Sequence, residues 1–174
     1  MVSLRQAFRG STETTELPVW SRIIVPVTDI DIDLRVLQMV CRIALRQRIE
    51  VTLVYVVEVV QSMPLDAELP SEVARGEHAL QASFDFIHRQ VPDKRSTVNT
   101  ELLQARSAGA AIVDEAIERD AGVVMLSARL QRKRGQLTVG ETVDYVLRHA
   151  PCEVIVVRHE MPDWLVHALE LDQE

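Results

Sequence analysis

The fold class is decided by the stretch that begins with Val123-Val-Met-Leu126 and ends with Glu153-Val-Ile-Val-Val157. Each end is a short run of β-branched and aliphatic residues, which is typical of a strand buried on both faces. Between them Val143 and Val146 recur at helical spacing, and Pro151 ends the pattern. The stretch therefore predicts a strand, a helix and a second strand in succession.

The same alternation runs through the preceding part of the chain. Three further strands are predicted over residues 22–27, 51–57 and 97–103, with a helical pattern after each. Five strands joined by helices indicate an α/β fold with a mostly parallel open sheet, because right-handed crossovers place helices on both faces. In such a sheet ligands bind beyond the carboxyl ends of the strands, where the strand order reverses. If the first strand is central, the loops after the first and fourth strands form that site.

Length and composition favour one compact domain. The chain has 174 residues and is 47% hydrophobic, which suits a single core. We predict a flexible N-terminal tail over residues 1–20, one domain over residues 21–158, and a C-terminal tail over residues 159–174. Trp164 and Leu169 in the last tail fit a short helix.

Charge and hydropathy limit the partners and the location of the chain. A net charge of −7 argues against nucleic-acid binding, which needs a dominant basic surface. The longest apolar run, residues 51–60, is too short for membrane insertion and contains Glu58. Cys41 and Cys152 form no paired framework, which is typical of reduced thiols in a cytoplasmic protein.

Several catalytic and metal-binding motifs are missing from the sequence. The glycines form neither a dinucleotide fingerprint nor a Walker A loop, and no hydrolase nucleophile elbow occurs. Asp29-Ile-Asp31-Ile-Asp33 begins like a calcium loop, but Leu34 stands where that loop needs glycine and Val40 where it needs glutamate. These acids instead suit the start of a helix, and we expect Asp33 to cap it and no metal to bind.

Two other segments each allow two interpretations. Arg129, Arg132, Lys133 and Arg134 concentrate positive charge after the fourth strand, where they either attract a phosphate or form a solvated loop. The long connection from Val59 to Pro70 is either an ordered surface segment anchored by Met63, Leu65 and Leu69 or a flap over the cleft.

The end of the chain resembles the universal stress protein family. The most specific match is Arg148-His-Ala-Pro-Cys152 followed by the strand Val154–Val157, and Arg22-Ile-Ile-Val-Pro-Val27 resembles the family's first strand. The resemblance spans about residues 21–158. It implies an adenine nucleotide alpha hydrolase-like sheet with strand order 3-2-1-4-5, a homodimer, and an adenine-nucleotide cleft between strands one and four.

The resemblance also assigns candidate binding residues. In the family's nucleotide-binding branch, a loop of three glycines follows the fourth strand, and the third is followed by serine or threonine. Here these positions fall on Ser127, Leu130, Gly140 and Glu141, so one glycine remains. The full candidate set is Pro26, Val27, Thr28, Asp29, Ser127, Arg129, Leu130, Arg132, Gly140, Glu141 and Thr142.

The replaced glycines argue against tight phosphate binding. A leucine resists the positive φ that a glycine loop adopts, and Glu141 places a carboxylate where a helix N-terminus would meet the anion. We therefore predict a non-enzymatic stress-response protein that acts through dimerisation and an unidentified protein partner, with no cofactor. An adenine-nucleotide-binding regulatory module that uses ATP or an AMP-type ligand is the alternative, and an enzyme is the least favoured class because no nucleophile and base are suitably spaced.

The last strand predicts how the chain assembles. In the family's strand order, Glu153–Val157 lies at the edge of the sheet although it is apolar and strongly β-forming. An uncovered edge of this kind invites pairing with another chain. We expect a symmetric homodimer that pairs or packs this strand.

Overall fold

The computed structural model of the chain describes residues 19–91, 96–133 and 136–159, with the backbone alone for residues 132 and 133. Nearly all of the two predicted tails lies outside the described residues, and so does the candidate helix around Trp164. The side chains of Arg132, Lys133 and Arg134 lie outside them as well.

The described residues form seven strands and four helices. Their order is β1 (Arg22–Pro26), α1 (Ile30–Ala44), β2 (Glu50–Glu58), α2 (Pro70–Gln90), β3 (Thr97–Ala105), α3 (Ala108–Glu118), β4 (Val123–Ala128), β5 (Gln131–Lys133), β6 (Gln136–Thr138), α4 (Glu141–His149) and β7 (Glu153–Arg158).

Five strands form one parallel sheet in the order β3-β2-β1-β4-β7. Strand β1 pairs with β2 on one side and β4 on the other. This confirms the predicted fold class and the 3-2-1-4-5 order of the main strands, with β7 at an edge. The strand order reverses between β1 and β4, so a crevice opens where these two strands end.

The core lies on both faces of the sheet. Helices α1 and α2 cover one face, where Leu37 packs with Val25 and Met125. Helices α3 and α4 cover the other, where Ile112 and Val146 join a second buried cluster. Aliphatic side chains therefore fill both layers, as the low aromatic content requires. Within the described residues, no helix is both long and apolar enough to cross a bilayer.

The start of α1 differs from the prediction. Asp29, not Asp33, is the N-cap residue, and its side chain accepts a hydrogen bond from the amide of Asp31. Asp33 lies in the first turn and is buried with 1% exposure. The sequence offered aspartates four residues apart, both suited to cap a helix, and the helix begins at the earlier one.

The basic segment after β4 is a hairpin rather than a loop. Strands β5 and β6 pair antiparallel, and Lys133 lies opposite Gln136 with two residues between them. A two-residue connection that contains a glycine, here Gly135, is a hairpin signal that the sequence interpretation missed.

The connection from Val59 to Pro70 is held against the domain by polar contacts. The guanidinium of Arg106 donates hydrogen bonds to the carbonyl oxygens of Val59, Val60 and Met63. Met63 and Leu65 are exposed, so the prediction that they anchor the segment was wrong. These contacts favour an ordered surface segment over a flap.

Helices α3 and α4 approach each other closely at Gly109. A Cβ atom added there would lie 2.7 Å from Cβ of Tyr145, closer than two carbon atoms can pack. We expect Gly109→Ala to destabilise the protein by about 1 kcal/mol or more, because overpacking costs ~1–3 kcal/mol and exceeds the gain in helix propensity. Urea unfolding measures the change.

Gly122→Ala is the matched control. A Cβ atom added at Gly122 would make ordinary van der Waals contacts, the nearest with the Trp20 side chain at 3.4 Å. An equal loss of stability in the two variants, or none at Gly109, would contradict the packing explanation.

Candidate functional site

A cavity of about 620 Å³ opens at the carboxyl ends of the central strands. The residues after β1, the ends of β2 and β4, and the first turns of α3 and α4 surround it. Its volume lies within the ~300–1,000 Å³ range of sites for small organic ligands. The cavity therefore lies where the strand order led us to expect a ligand site.

The structure brings most of the predicted site residues to this cavity. Asp29 and Leu130 do not line it, since Asp29 caps α1 and Leu130 precedes β5. The Arg132 side chain lies outside the described residues. Those that do line the cavity are Pro26, Val27, Thr28, Ser127, Arg129, Gly140, Glu141 and Thr142.

Sequence reasoning missed the role of Asp33, which lines the cavity. Oδ2 of its carboxyl group accepts hydrogen bonds from the amides of Thr28 at 2.7 Å and Asp29 at 3.1 Å. The Thr28 hydroxyl donates to the same oxygen at 3.3 Å. The sequence signal is the spacing of four residues between Asp29 and Asp33. A side chain one helical turn after the N-cap can point back towards the end of the preceding strand.

Burial raises the pKa of Asp33, and the backbone hydrogen bonds from Thr28 and Asp29 oppose this shift. The hydroxyl of Ser127 is near enough to oppose it too. The Ser127 hydroxyl is itself buried beside this carboxyl group.

The N-terminus of α4 forms the opposite wall. Gly140 adopts a φ of 96°, which favours glycine, although a Cβ would meet nothing within 4 Å. Its amide donates to Oγ1 of Thr138 at 3.2 Å, and the helix has no side-chain cap. Glu141 is the first helical residue and places a carboxylate in the first turn, where a negative charge is favoured.

A second helix end near the cavity is already capped. The amide of Ala108, a lining residue, donates to Oε1 of Glu58 at 2.7 Å. Ser107 is the N-cap residue of α3, and its side chain accepts a hydrogen bond from the amide of Ala110. A carboxylate thus occupies this helix N-terminus, and Arg129 is the cation that lines the cavity among the described residues.

This architecture defines the class of protein: an open, parallel α/β domain with its cleft at the switch point between the central strands. A model of the universal stress protein family matches residues 20–158. The match covers more than half of the chain, so the protein belongs to the universal stress protein family.

Solved structures agree with this assignment. The universal stress protein UspA from Lactobacillus plantarum is 25% identical with a TM-score of 0.62, and the match covers 82% of this chain and all of that one. A universal stress protein from Archaeoglobus fulgidus is 21% identical with a TM-score of 0.63, covering 79% and 98% of the two chains.

The Archaeoglobus fulgidus protein in complex with dAMP is 19% identical with a TM-score of 0.60, and the match covers 80% of this chain and 98% of that chain. At such identity the likeness shows the fold. No curated protein sequence matches the chain.

The burial of Asp33 predicts a pH-dependent stability. Because its folded pKa is raised, the folded state binds the proton more tightly than the unfolded state between the two pKa values. Stability from this group is therefore present at low pH and is lost as the pH rises through the folded pKa. Relative to Asp33→Asn, the natural protein should gain stability as the pH falls from about 7 towards about 4.

Urea unfolding at several pH values measures this difference. Asp31→Asn removes an exposed carboxylate from the same helical turn and serves as the control. The explanation fails if both variants differ from the natural protein by the same pH-dependent amount.

Proposed function

We propose that the protein is a non-enzymatic regulatory member of its family that acts through dimerisation and partner contacts, and that its cleft binds ATP weakly or not at all. Within the described residues, no histidine, lysine or cysteine lines the cavity to activate a nucleophile. A cytoplasmic location, a protein partner, and the absence of nucleic-acid binding and membrane insertion belong to the same proposal.

The observation that carries the ATP proposal is Glu141 in the first turn of α4. A helix N-terminus that faces a cavity normally attracts phosphate. A carboxylate at ~4 Å from a phosphate opposes binding by about 4 kcal/mol at an effective dielectric constant of ~20. That penalty corresponds to roughly a thousandfold in affinity, which the charge of Arg129 offsets only in part. Leu130 contributes less than the sequence suggested, because it does not line the cavity.

An adenine-nucleotide-binding regulatory module is the second candidate. The cavity has the volume and the place in the fold of a ligand site, and Arg129 supplies a cation. The solved complex of a family member with dAMP supports an AMP-type ligand more than ATP, because one phosphate meets less repulsion than three.

Replacing Glu141 tests the ATP proposal. Calorimetry should detect little ATP binding by the natural protein and measurable binding by Glu141→Ser. The triple variant Ser127→Gly, Leu130→Gly, Glu141→Ser should gain only slightly more, because the carboxylate is the larger obstacle. Binding by the variants should weaken with added salt, since cations then act on the phosphates with less opposition.

Glu118→Ser, which removes an exposed carboxylate near the other end of α3, is the matched control and should gain no ATP binding. Tight ATP binding by the natural protein would refute the proposal. An absence of binding by the folded triple variant would place the obstacle elsewhere in the cleft.

The dimer proposal rests on β7. This edge strand carries four half-buried apolar residues, Val154 to Val157, between the exposed Glu153 and Arg158. No described strand covers its outer side. If two copies pair β7 antiparallel about a two-fold axis, the residues that face each other across the axis lie on the same face of the joined sheet, so the apolar side chains of the two copies meet along the shared edge.

Light scattering at micromolar concentration should therefore report a dimer. Val156→Lys should weaken dimerisation and raise the dissociation constant severalfold, because it places like charges near the two-fold axis on the paired edge, and circular dichroism checks that the variant is folded. Arg89→Glu, an exposed change on α2, should leave the dissociation constant unchanged. A monomeric natural protein would refute the proposal.

A further inference from the structure

We propose that residues 160–174 of this chain bind an apolar groove between α1 and β7, on the face of the sheet that α1 and α2 cover. The groove consists of described residues, whereas its proposed occupant follows them directly in the chain. A segment bound there would cover one face of β7 and leave the outer edge of the strand open, so the inference is independent of the proposed dimer.

The floor of the groove is one face of β7. Ile155 lies in register with Met125 of β4, so Ile155 and Val157 face the side of the sheet that α1 and α2 cover. There α1 packs over β4, whereas α4 contacts β7 from the opposite face. Ile155 and Val157 are therefore only half-buried at the margin of the core, although the central strand β1 is almost fully buried.

The wall of the groove is one flank of α1. The His159 ring contacts the carbonyl oxygen of Ile32, which brings the end of β7 to the first turn of α1. Met39 and Ile43 follow Ile32 by about two and three helical turns, so they share its flank. Met39 is 37% exposed and Ile43 is half-buried. Floor and wall together form an apolar strip along β7.

The chain itself brings residues 160–174 to this groove. His159 is the last described residue, and it lies at the end of the groove where α1 begins. A helix over residues 162–171 would be about 15 Å long, and β7 is about 20 Å long. A segment that turns back after His159 can therefore run along most of the groove, parallel to α1.

The sequence of the segment suits an apolar groove. Pro162 and Asp163 favour the first turn of a helix. The residues that would share the apolar face of this helix recur at helical spacing, and they are Trp164, Leu165, Ala168, Leu169 and Leu171. Such a face needs an apolar surface to cover it, and the groove between α1 and β7 is the one that lies next along the chain.

Charge complementarity supports the same occupant and its direction. Residues 160–174 contain five carboxylate side chains and no lysine or arginine. Arg42 and Arg46 are exposed at the C-terminal end of α1. A segment parallel to α1 brings Glu170 and Asp172 to this end, where opposite charges then border the groove. Because exposed ion pairs are weak, these charges set the direction of the segment more than its affinity.

The fluorescence of Trp164 in the full chain provides the first test. Comparison with Trp164→Phe isolates its emission from that of Trp20, the other tryptophan. This emission should lie at shorter wavelength than that of tryptophan in water, and acrylamide should quench it severalfold less. Met39→Lys places a charge in the wall of the groove, so it should shift the emission to longer wavelength and increase quenching severalfold. Circular dichroism checks that this variant is folded.

Leu45→Lys is the matched control, because Leu45 is an exposed apolar residue at the end of α1 that lies off the flank of Met39. It should leave the emission of Trp164 unchanged. An emission typical of exposed tryptophan, or one that Met39→Lys does not alter, would overturn the inference. A shift to longer wavelength on dilution would also overturn it, because the segment would then occupy a second copy of the chain.

Urea unfolding of the full chain provides the second test. Leu165→Ser removes a side chain from the apolar face and should lower the urea midpoint, whereas Val166→Ser, on the opposite side of the same helical pattern, should not. In a Met39→Ser background, Leu165→Ser should lower the midpoint by less, because both residues act on one interface.

Equal midpoints for the Leu165 and Val166 variants would contradict the inference, and so would full additivity with Met39→Ser. A natural protein that is monomeric in light scattering would refute the dimer proposal alone, since both tests of the groove are made within one chain.

Discussion

The site depends on one constraint, the central position of β1. This strand is buried on both faces. It pairs with β2 on one side, and the sheet continues there to β3. It pairs with β4 on the other side, and the sheet continues there to β7. The crossovers after β1 and β4 therefore cover opposite faces, and a crevice remains between the ends of the two strands. His159 links β4 and α1 at this end of the sheet. Its amide donates a hydrogen bond to the carbonyl oxygen of Ala128, and its ring contacts the carbonyl oxygen of Ile32.

The turn between β1 and α1 places a carboxyl group in the wall of this crevice. Because Thr28 and Asp29 direct their amides to a single carboxylate oxygen, Asp33 is fixed in the wall of the crevice. Removing this side chain from water raises its pKa, and the hydrogen bonds that it accepts from Thr28, Asp29 and Ser127 oppose the shift, so this carboxyl group holds its proton more tightly than it would in water.

The sequence predicted the fold well because the spacing of the hydrophobic residues distinguishes its strands from its helices. Alternating strand and helix patterns were sufficient for the order of elements, and β3 and β4 extend only two residues beyond their predicted ends. The same patterns could not place Asp33, since both Asp29 and Asp33 suit a helix start and the choice depends on where β1 ends. They also placed Leu130 in the site by motif alignment, although the chain turns into the β5–β6 hairpin there and leaves Leu130 outside the cavity.

Membership of a family constrains the backbone of this protein more than its ligand. The likeness to solved universal stress proteins extends over about four fifths of the chain, and it concerns the sheet and its crossovers. The cavity is lined mainly by side chains at the ends of β1 and β4 and at the start of α4, where a few substitutions change the sign of the local charge without changing the fold. Glu141 and Asp33 are such residues, because Asp33 accepts hydrogen bonds from two backbone amides and Glu141 lies in the first turn of α4. The chemistry of this cleft therefore has to be derived from its own residues, and it brings the carboxyl groups of Asp33 and Glu141 and the guanidinium of Arg129 to one cavity.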